Sequence, residues 1–285
     1  NSFTKNQLKI MNRKFYYLFL IALILHGCKE PMLVMSYNIR YNNPDDGDNH
    51  WDYRKETIAN FILEEQPDVF GMQEVTHAQL LDLIEEWSEY DYLGVGREDG
   101  MTKGEYAPVF YKTEKYKVLD FNTFWLSETP DTISVGWDAA LERICSYAHL
   151  EANKNGKRFW IFNTHFDHRG EKARAAAAKL LINRIEQLNF SNDPVLLTGD
   201  FNLEPNSLPI KEITSHFKDV YDSSNDEQAQ QATYNGFDET SFGNRRIDYI
   251  FYDQFSVEEA SHVALKTKWG GWASDHHPVK AIFNH

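Results

Sequence analysis

The sequence predicts one α/β domain in which two β-sheets pack face to face with helices outside. Three observations carry this. Helix and strand patterns occur in both halves of the chain, with short β runs and a hairpin signal between them. In both halves, apolar runs end in polar residues suited to chemistry. No G-x-G-x-x-G follows the first apolar run, which disfavours a dinucleotide-binding fold.

The elements follow in chain order. Met32 to Tyr41 is apolar and β-rich and predicts the first strand. Arg54 to Glu65 carries Ile58, Ala59, Phe61 and Ile62 at helical spacing, and Pro67 ends it. Asp68 to Glu74 reads as the next strand, and Ala78 to Trp87 as a second helix. Short β runs follow at Tyr92–Gly96, Tyr106–Tyr111, Val118–Trp125, Ser146–Ala152 and Arg158–Thr164, the last two joined by the hairpin signal Asn155-Gly156. Glu171 to Leu188 is the clearest helix, with Leu180, Leu181, Ile185 and Leu188 on one side. Pro194 to Thr198 is a buried strand, and Arg246–Tyr252, Val257–Leu265 and Pro278–Phe283 complete the pattern.

The chain has 285 residues, 42% hydrophobic and 14% aromatic, enough for a sizeable core and unlike a disordered chain. Residues 1–30 read as a separate segment: an N-terminal extension ahead of Met11, then a secretory signal. Arg13 and Lys14 precede the apolar run Phe15–Leu25, which is shorter than the roughly 20 residues a membrane-spanning helix needs. The ending Leu25-His26-Gly27-Cys28 resembles a bacterial lipoprotein signal. It predicts an exported protein, periplasmic or anchored at an outer membrane, touching membrane only through lipid on Cys28. Residues 31–285 are then the functional domain. The other cysteine, Cys145, has no partner in that case and is expected to be an inert buried thiol.

Net charge is −14, and residues 1–27 hold four basic and no acidic residues, so the processed chain carries −14 − 4 = −18. Such a surface repels polyanions at long range and argues against nonspecific nucleic-acid binding, while leaving a local nucleic-acid site open.

The chemistry lies in short motifs at the ends of apolar runs: Ser36-Tyr37-Asn38, Gln73-Glu74, Asn163-Thr164-His165, Gly199-Asp200-Phe201-Asn202, Arg246-Ile247-Asp248-Tyr249 and Ser274-Asp275-His276. Alone, each is explained by capping or solvation. Jointly they supply carboxylates, amides and imidazoles suited to a hard cation and a phosphate. Asp200 and Asn202, two apart, would share a side of a strand. Asp248 sits inside an apolar β run, where a charge needs a partner, and a histidine is the natural one.

These motifs, in this order from Met32 to the C-terminus, resemble the endonuclease/exonuclease/phosphatase superfamily. The resemblance implies a DNase I-like, four-layer α/β/β/α sandwich, of α/β (α+β) class, with its site at one sheet rim. It implies Glu74 as the main metal ligand, helped by Asn38 and Asp275, with Mg²⁺ as cofactor and Mn²⁺ as substitute. It implies Asp200 as the residue that orients or deprotonates water, Asn202 and His165 as holders of phosphoryl oxygens, and His276 as a phosphate contact oriented by Asp248 or Asp275. Arg40 stands where some nuclease members carry a second acid, so the metal count stays open and a cation faces the site.

Arg169 and Trp272 are further candidates for binding substrate, each balanced against a structural role, and Trp269 shares Trp272's glycine-flexed loop. Trp51, Arg97, Glu105 and Trp137 read as structural, and Asp45-Asp46-Gly47-Asp48 as a solvated turn. The expected activity is hydrolysis of a phosphate ester on a small sugar or inositol phosphate. A secreted nuclease and a noncatalytic surface lipoprotein are the alternatives.

Overall fold

The computed structural model describes residues 31–223 and 232–284; the signal and Cys28 lie outside them. Twelve strands form two six-stranded sheets among the described residues. The first sheet has β1 (Pro31–Asn38), β2 (Val69–Gln73), β3 (Tyr90–Leu93), β4 (Val109–Lys112), β11 (Ser256–His262) and β12 (Val279–Asn284), in the order β11-β12-β1-β2-β4-β3. The second has β5 (Tyr116–Trp125), β6 (Ile144–Ala152), β7 (Arg158–His165), β8 (Val195–Asp200), β9 (Lys218–Asp219) and β10 (Asp248–Asp253), in the order β5-β6-β7-β8-β10-β9.

Each sheet contains one parallel pair, β1–β2 and β7–β8. A parallel pair needs a crossover, and a helix supplies it. Helix α1 (Trp51–Glu65) links β1 to β2, and α3 (Glu171–Leu188) links β7 to β8. Helix α2 (His77–Glu86) follows β2, with a capping box between Thr76 and Gln79. A 3₁₀ helix at Pro44–Asn49, a short helix α4 (Leu208–Thr214) and one turn, α5 (Val220–Ser223), complete the described elements.

Three apolar layers hold the sandwich together. Val34, Val69, Ile161, Leu196, Ile250 and Val279 meet between the sheets. Met35, Phe70 and Phe110 pack on Ile58 and Ile62 of α1 and Leu80 and Leu83 of α2. Phe162, Leu197 and Phe251 pack on Ala178, Leu181 and Ile185 of α3. Strand alternation sorts residues between these layers. The predicted two-sheet sandwich and the span of α3 match the structure. The Asn155-Gly156 hairpin forms with a longer turn, in which Ala152 N–H donates to Lys157 O at 2.8 Å. The short elements α4 and β9 carry no periodic pattern long enough to read.

The inner layer becomes polar toward one rim. Asn163 on β7 accepts from Gln73 Nε2 at 2.7 Å and donates through Nδ2 to Met72 O at 2.7 Å and Pro108 O at 2.9 Å. Thr198 Oγ1 donates to Asn163 Oδ1 at 3.0 Å. This buried network joins the sheets, so Gln73 and Asn163 are structural members of their motifs. Gly71 lies opposite. A Cβ there would stand 2.3 Å from both Asn163 Oδ1 and Thr198 Oγ1, so glycine is what admits the network.

Candidate active site

The inner-face alternation continues to that rim. Val34, Ser36 and Asn38 share a face of β1; Ile161, Asn163 and His165 share a face of β7; Leu196, Thr198 and Asp200 share a face of β8. Asp248 opens β10 opposite Asp200. Four polar side chains, Asn38, His165, Asp200 and Asp248, thus arrive at one end of the inter-sheet layer from four strands.

Other residues arrive through left-handed backbone. By alternation Glu74 would join Phe70 and Met72 on the outer face. Its φ of 61° ends the strand instead. Its carboxylate accepts from Asn38 Nδ2 at 3.1 Å and from the Tyr41 N–H at 3.1 Å. Asn202 has φ 51°, so strand spacing does not place it as expected. β8 stops at Asp200, and the Asn202 N–H donates to Asp200 Oδ1 at 2.9 Å. The turn still delivers its amide 3.2 Å from His165 Nε2. Arg40 is left-handed too, and its N–H donates to Asn38 Oδ1 at 3.0 Å. Strained conformations of this kind persist where the surroundings over-determine them.

Asn38 Nδ2 also donates to Asp200 Oδ2 at 3.0 Å, bridging a residue of each sheet. Asp200 Oδ2 lies 3.6 Å from His165 Nε2 and 3.8 Å from His276 Nε2. Asp248 Oδ2 accepts from His276 Nδ1 at 2.8 Å. Asp248 is therefore the acid that orients His276. Asp275 turns away: its Oδ2 lies 3.9 Å from Arg40 Nη1. Ser274 Oγ donates to Asn38 O at 2.7 Å and ties this segment to β1. The Tyr234 ring meets His276 edge-on at 5.0 Å.

Burial shapes the electrostatics. Asp200 is raised to about 7 by burial and by the neighbouring Asp248 carboxylate. Burial opposes charge on His276, yet Asp248 and Asp200 outweigh it and hold the imidazole protonated well above its ordinary range. His165 is pushed well below its ordinary value by burial and by Arg143 and Arg97, and stays neutral. Asp275 is raised by burial.

Glu74, Asp200 and His276 place their candidate ligand atoms within 4.8 Å of one another, although His276 would have to lose its Nε2 proton to serve as one. This triad differs from the expected set of Glu74, Asn38 and Asp275, although Asn38 touches Glu74 directly. The donors fit a hard divalent cation: oxygen atoms dominate, and Asp248 Oδ1 is buried with no hydrogen-bond partner among the described residues.

The outer candidates divide. Arg40 is held by Asp46 through Nε at 3.0 Å and Nη2 at 2.9 Å. The acidic segment is thus no mere solvated turn; Asp46 positions the Arg40 cation. Arg169 is exposed, and its backbone N–H donates to Asp167 Oδ2 at 2.9 Å. Trp272 is buried, with Nε1 donating to Asp238 O at 2.7 Å. Glu105, read as structural, lies 3.7 Å from His165 Nδ1 and pairs with Arg97 at 2.8 and 2.9 Å.

Two residues escaped sequence reading. Arg143 Nη2 lies 2.9 Å from His168 Nδ1, and its charge bears on His165. Arg54 is buried and donates to the carbonyls of Ile39, Arg40, Asn49 and Ala273. A charged residue inside an otherwise apolar helical face was the available signal for Arg54. Cys145 is fully buried, and burial pushes its thiol well up, as an inert cysteine requires.

Residues 35–276 match the endonuclease/exonuclease/phosphatase family. A mannosyl-6-phosphatase of Bacteroides thetaiotaomicron is 38% identical, with 88% of this chain and 99% of that one covered at a TM-score of 0.84. A second structure from that organism, described as an endonuclease/exonuclease/phosphatase family protein, is 37% identical over 89% of this chain and 98% of that one, at 0.84. Among curated relatives, a mimivirus protein is 31% identical over 54% of this chain and 60% of its own length. Drosophila melanogaster nocturnin is 29% identical over 54% of this chain and 24% of its own length. The chain spans less than two thirds of both curated relatives. Given these matches and the two-sheet fold, the chain belongs to the endonuclease/exonuclease/phosphatase family, whose members hydrolyse phosphate esters.

Proposed function

We propose that this protein is an exported, Mg²⁺-dependent phosphatase that removes phosphate from a small sugar-like molecule. The observation that carries the reaction class is the contact chain Glu74–Asn38–Asp200 meeting Asp248–His276 at one rim. Similarity to a mannosyl-6-phosphatase supports the substrate class. The sequence of residues 13–28 supports export and a lipid anchor at Cys28.

In this reading Glu74, with Asn38 and Asp275, holds the cation, which supplies charge neutralisation to phosphoryl oxygens. Asp200 orients the attacking water and takes its proton. His276, kept cationic by Asp248, donates to a phosphoryl oxygen, and Asn202 and His165 flank the same group. Water is the nucleophile: Cys145 is buried, and the Ser274 hydroxyl is committed to Asn38 O.

One observation favours a nuclease reading: similarity to nocturnin and to a Ccr4 exoribonuclease subunit. Hydrolysis of hexose phosphates, p-nitrophenyl phosphate, bis-p-nitrophenyl phosphate, RNA and plasmid DNA separates the two. Hexose monophosphates with Mg²⁺ are expected to be cleaved fastest, and EDTA to abolish turnover. Glu74→Gln is expected to raise the Mg²⁺ needed for half-maximal rate by at least about 10-fold. Faster nicking of plasmid would replace the phosphatase reading with the nuclease one.

A further inference from the structure

A cavity of about 370 Å³ lies beside the rim, walled by Asp48, Asn49, Tyr53, Glu239, Trp269 and Trp272. It adjoins the site through the chain itself. Trp272 and Asp275 are three positions apart, at most about 10 Å of extended backbone. Arg54, in the same wall, clamps the carbonyls of Ile39 and Ala273, which neighbour Asn38 and Ser274.

The wall is unusual in what it leaves available. The carboxylates of Asp48 and Glu239, the Asn49 amide and the Tyr53 hydroxyl make no hydrogen bond or ion pair among the described residues. Trp269 is 72% exposed at the tip of a closed turn, in which Thr267 N–H donates to Gly271 O at 2.8 Å and Gly270 N–H to Thr267 O at 3.0 Å; Lys268 Nζ lies 5.4 Å from its ring centroid, and the rest of the ring is open. Trp272 is spent differently. Lys266 covers its ring at 4.0 Å, and its Nε1 holds Asp238 O, which fixes the segment bearing Glu239.

An aromatic face on a braced loop in one wall with free carboxylates suits a polyol. Pyranose C–H faces lie on an aromatic ring, and vicinal hydroxyls donate to carboxylate oxygens. The same wall disfavours a polyanion. Asp48 and Glu239 repel further phosphates, and Arg54 already gives four hydrogen bonds to backbone carbonyls.

Resting on the phosphatase reading above, we propose that this cavity is the subsite for the sugar ring of the substrate, with Trp269 as stacking platform and Glu239 and Asn49 as acceptors of hydroxyl protons. The subsite then determines which sugar phosphate is cleaved, while the rim performs the reaction.

The test compares kcat/KM for hexose 6-phosphates differing at one hydroxyl with kcat/KM for p-nitrophenyl phosphate, in the wild type, Trp269→Ala and Glu239→Gln. Both substitutions are expected to lower kcat/KM on the preferred hexose phosphate by about 10-fold. Both should leave p-nitrophenyl phosphate within about twofold, and Glu239→Gln should narrow discrimination between epimers. If the wild type prefers a hexose phosphate but the variants match it on every substrate, the subsite assignment is wrong and the phosphatase reading stands. An equal loss on p-nitrophenyl phosphate likewise overturns the assignment, because the wall would then be supporting the rim rather than the sugar. If the wild type cleaves no hexose phosphate, the sugar-phosphatase reading fails and the subsite with it.

Discussion

The two sheets make matching deliveries with opposite character. Each sends a parallel strand pair to the rim: β1 and β2 bring Asn38 and Glu74, and β7 and β8 bring His165 and Asp200. On the first sheet Glu74 is partly open to solvent and held by a backbone N–H. On the second, His165, Asp200 and Asp248 are buried and face each other or His276. The open side suits a cation that keeps some of its water, and the dry side suits moving a proton. Neither half is sufficient, so the reaction depends on the sheets staying packed.

That division can be broken from the dry side first. Asp200→Asn keeps the shape and removes the carboxylate proposed to take the water's proton. It is expected to lower kcat by about 10³-fold with little change in KM, read by steady-state kinetics on p-nitrophenyl phosphate. A loss below tenfold would move the base elsewhere.

The packing between the sheets is the next target. Gly71→Ala drives a Cβ into Asn163 and Thr198, and is expected to cost about 1–3 kcal/mol in urea denaturation. Part of the lost activity should track that loss, because the network sets the spacing of the two rims. Unchanged stability would show that the layer accommodates the methyl and that the network is not what spaces the sheets.

The smallest effect concerns the end of β11. His262 is buried against Tyr221, both ring nitrogens lack a hydrogen-bond partner among the described residues, and burial lowers it to about 3. The folded state therefore excludes a proton that the unfolded chain binds below its ordinary value of 6.5. Stability from this residue is complete above pH 6.5 and declines as pH falls toward 3, by up to about 1.4 kcal/mol per pH unit. Wild type should lose about 1–2 kcal/mol more than His262→Phe between pH 7 and pH 5 in urea titrations. Parallel losses would place the acid sensitivity at other buried groups.

Much of this was legible before any coordinates. Asn38, His165, Asp200 and Asp248 end or begin strong β patterns, so alternation carries them to the inner face. Arg169 stood equally balanced and proved exposed, with only its backbone engaged by Asp167. Asp46 looked solvated because its partner, Arg40, precedes it across a turn that no periodicity encodes. Asn202 reached the site by a left-handed residue, for which spacing is silent.

Amino-acid order by itself determined the strands, the crossover helices and the identity of the polar residues at their ends, because those follow from local periodicity and from where apolar runs stop. Tertiary structure decided which acid serves His276, how Glu74 turns back from the outer face, and which aromatic stays uncovered. Those outcomes depend on contacts between residues far apart in the chain, such as Asp248 with His276 and Asn38 with Asp200, and distance in space is the one property that local pattern does not contain.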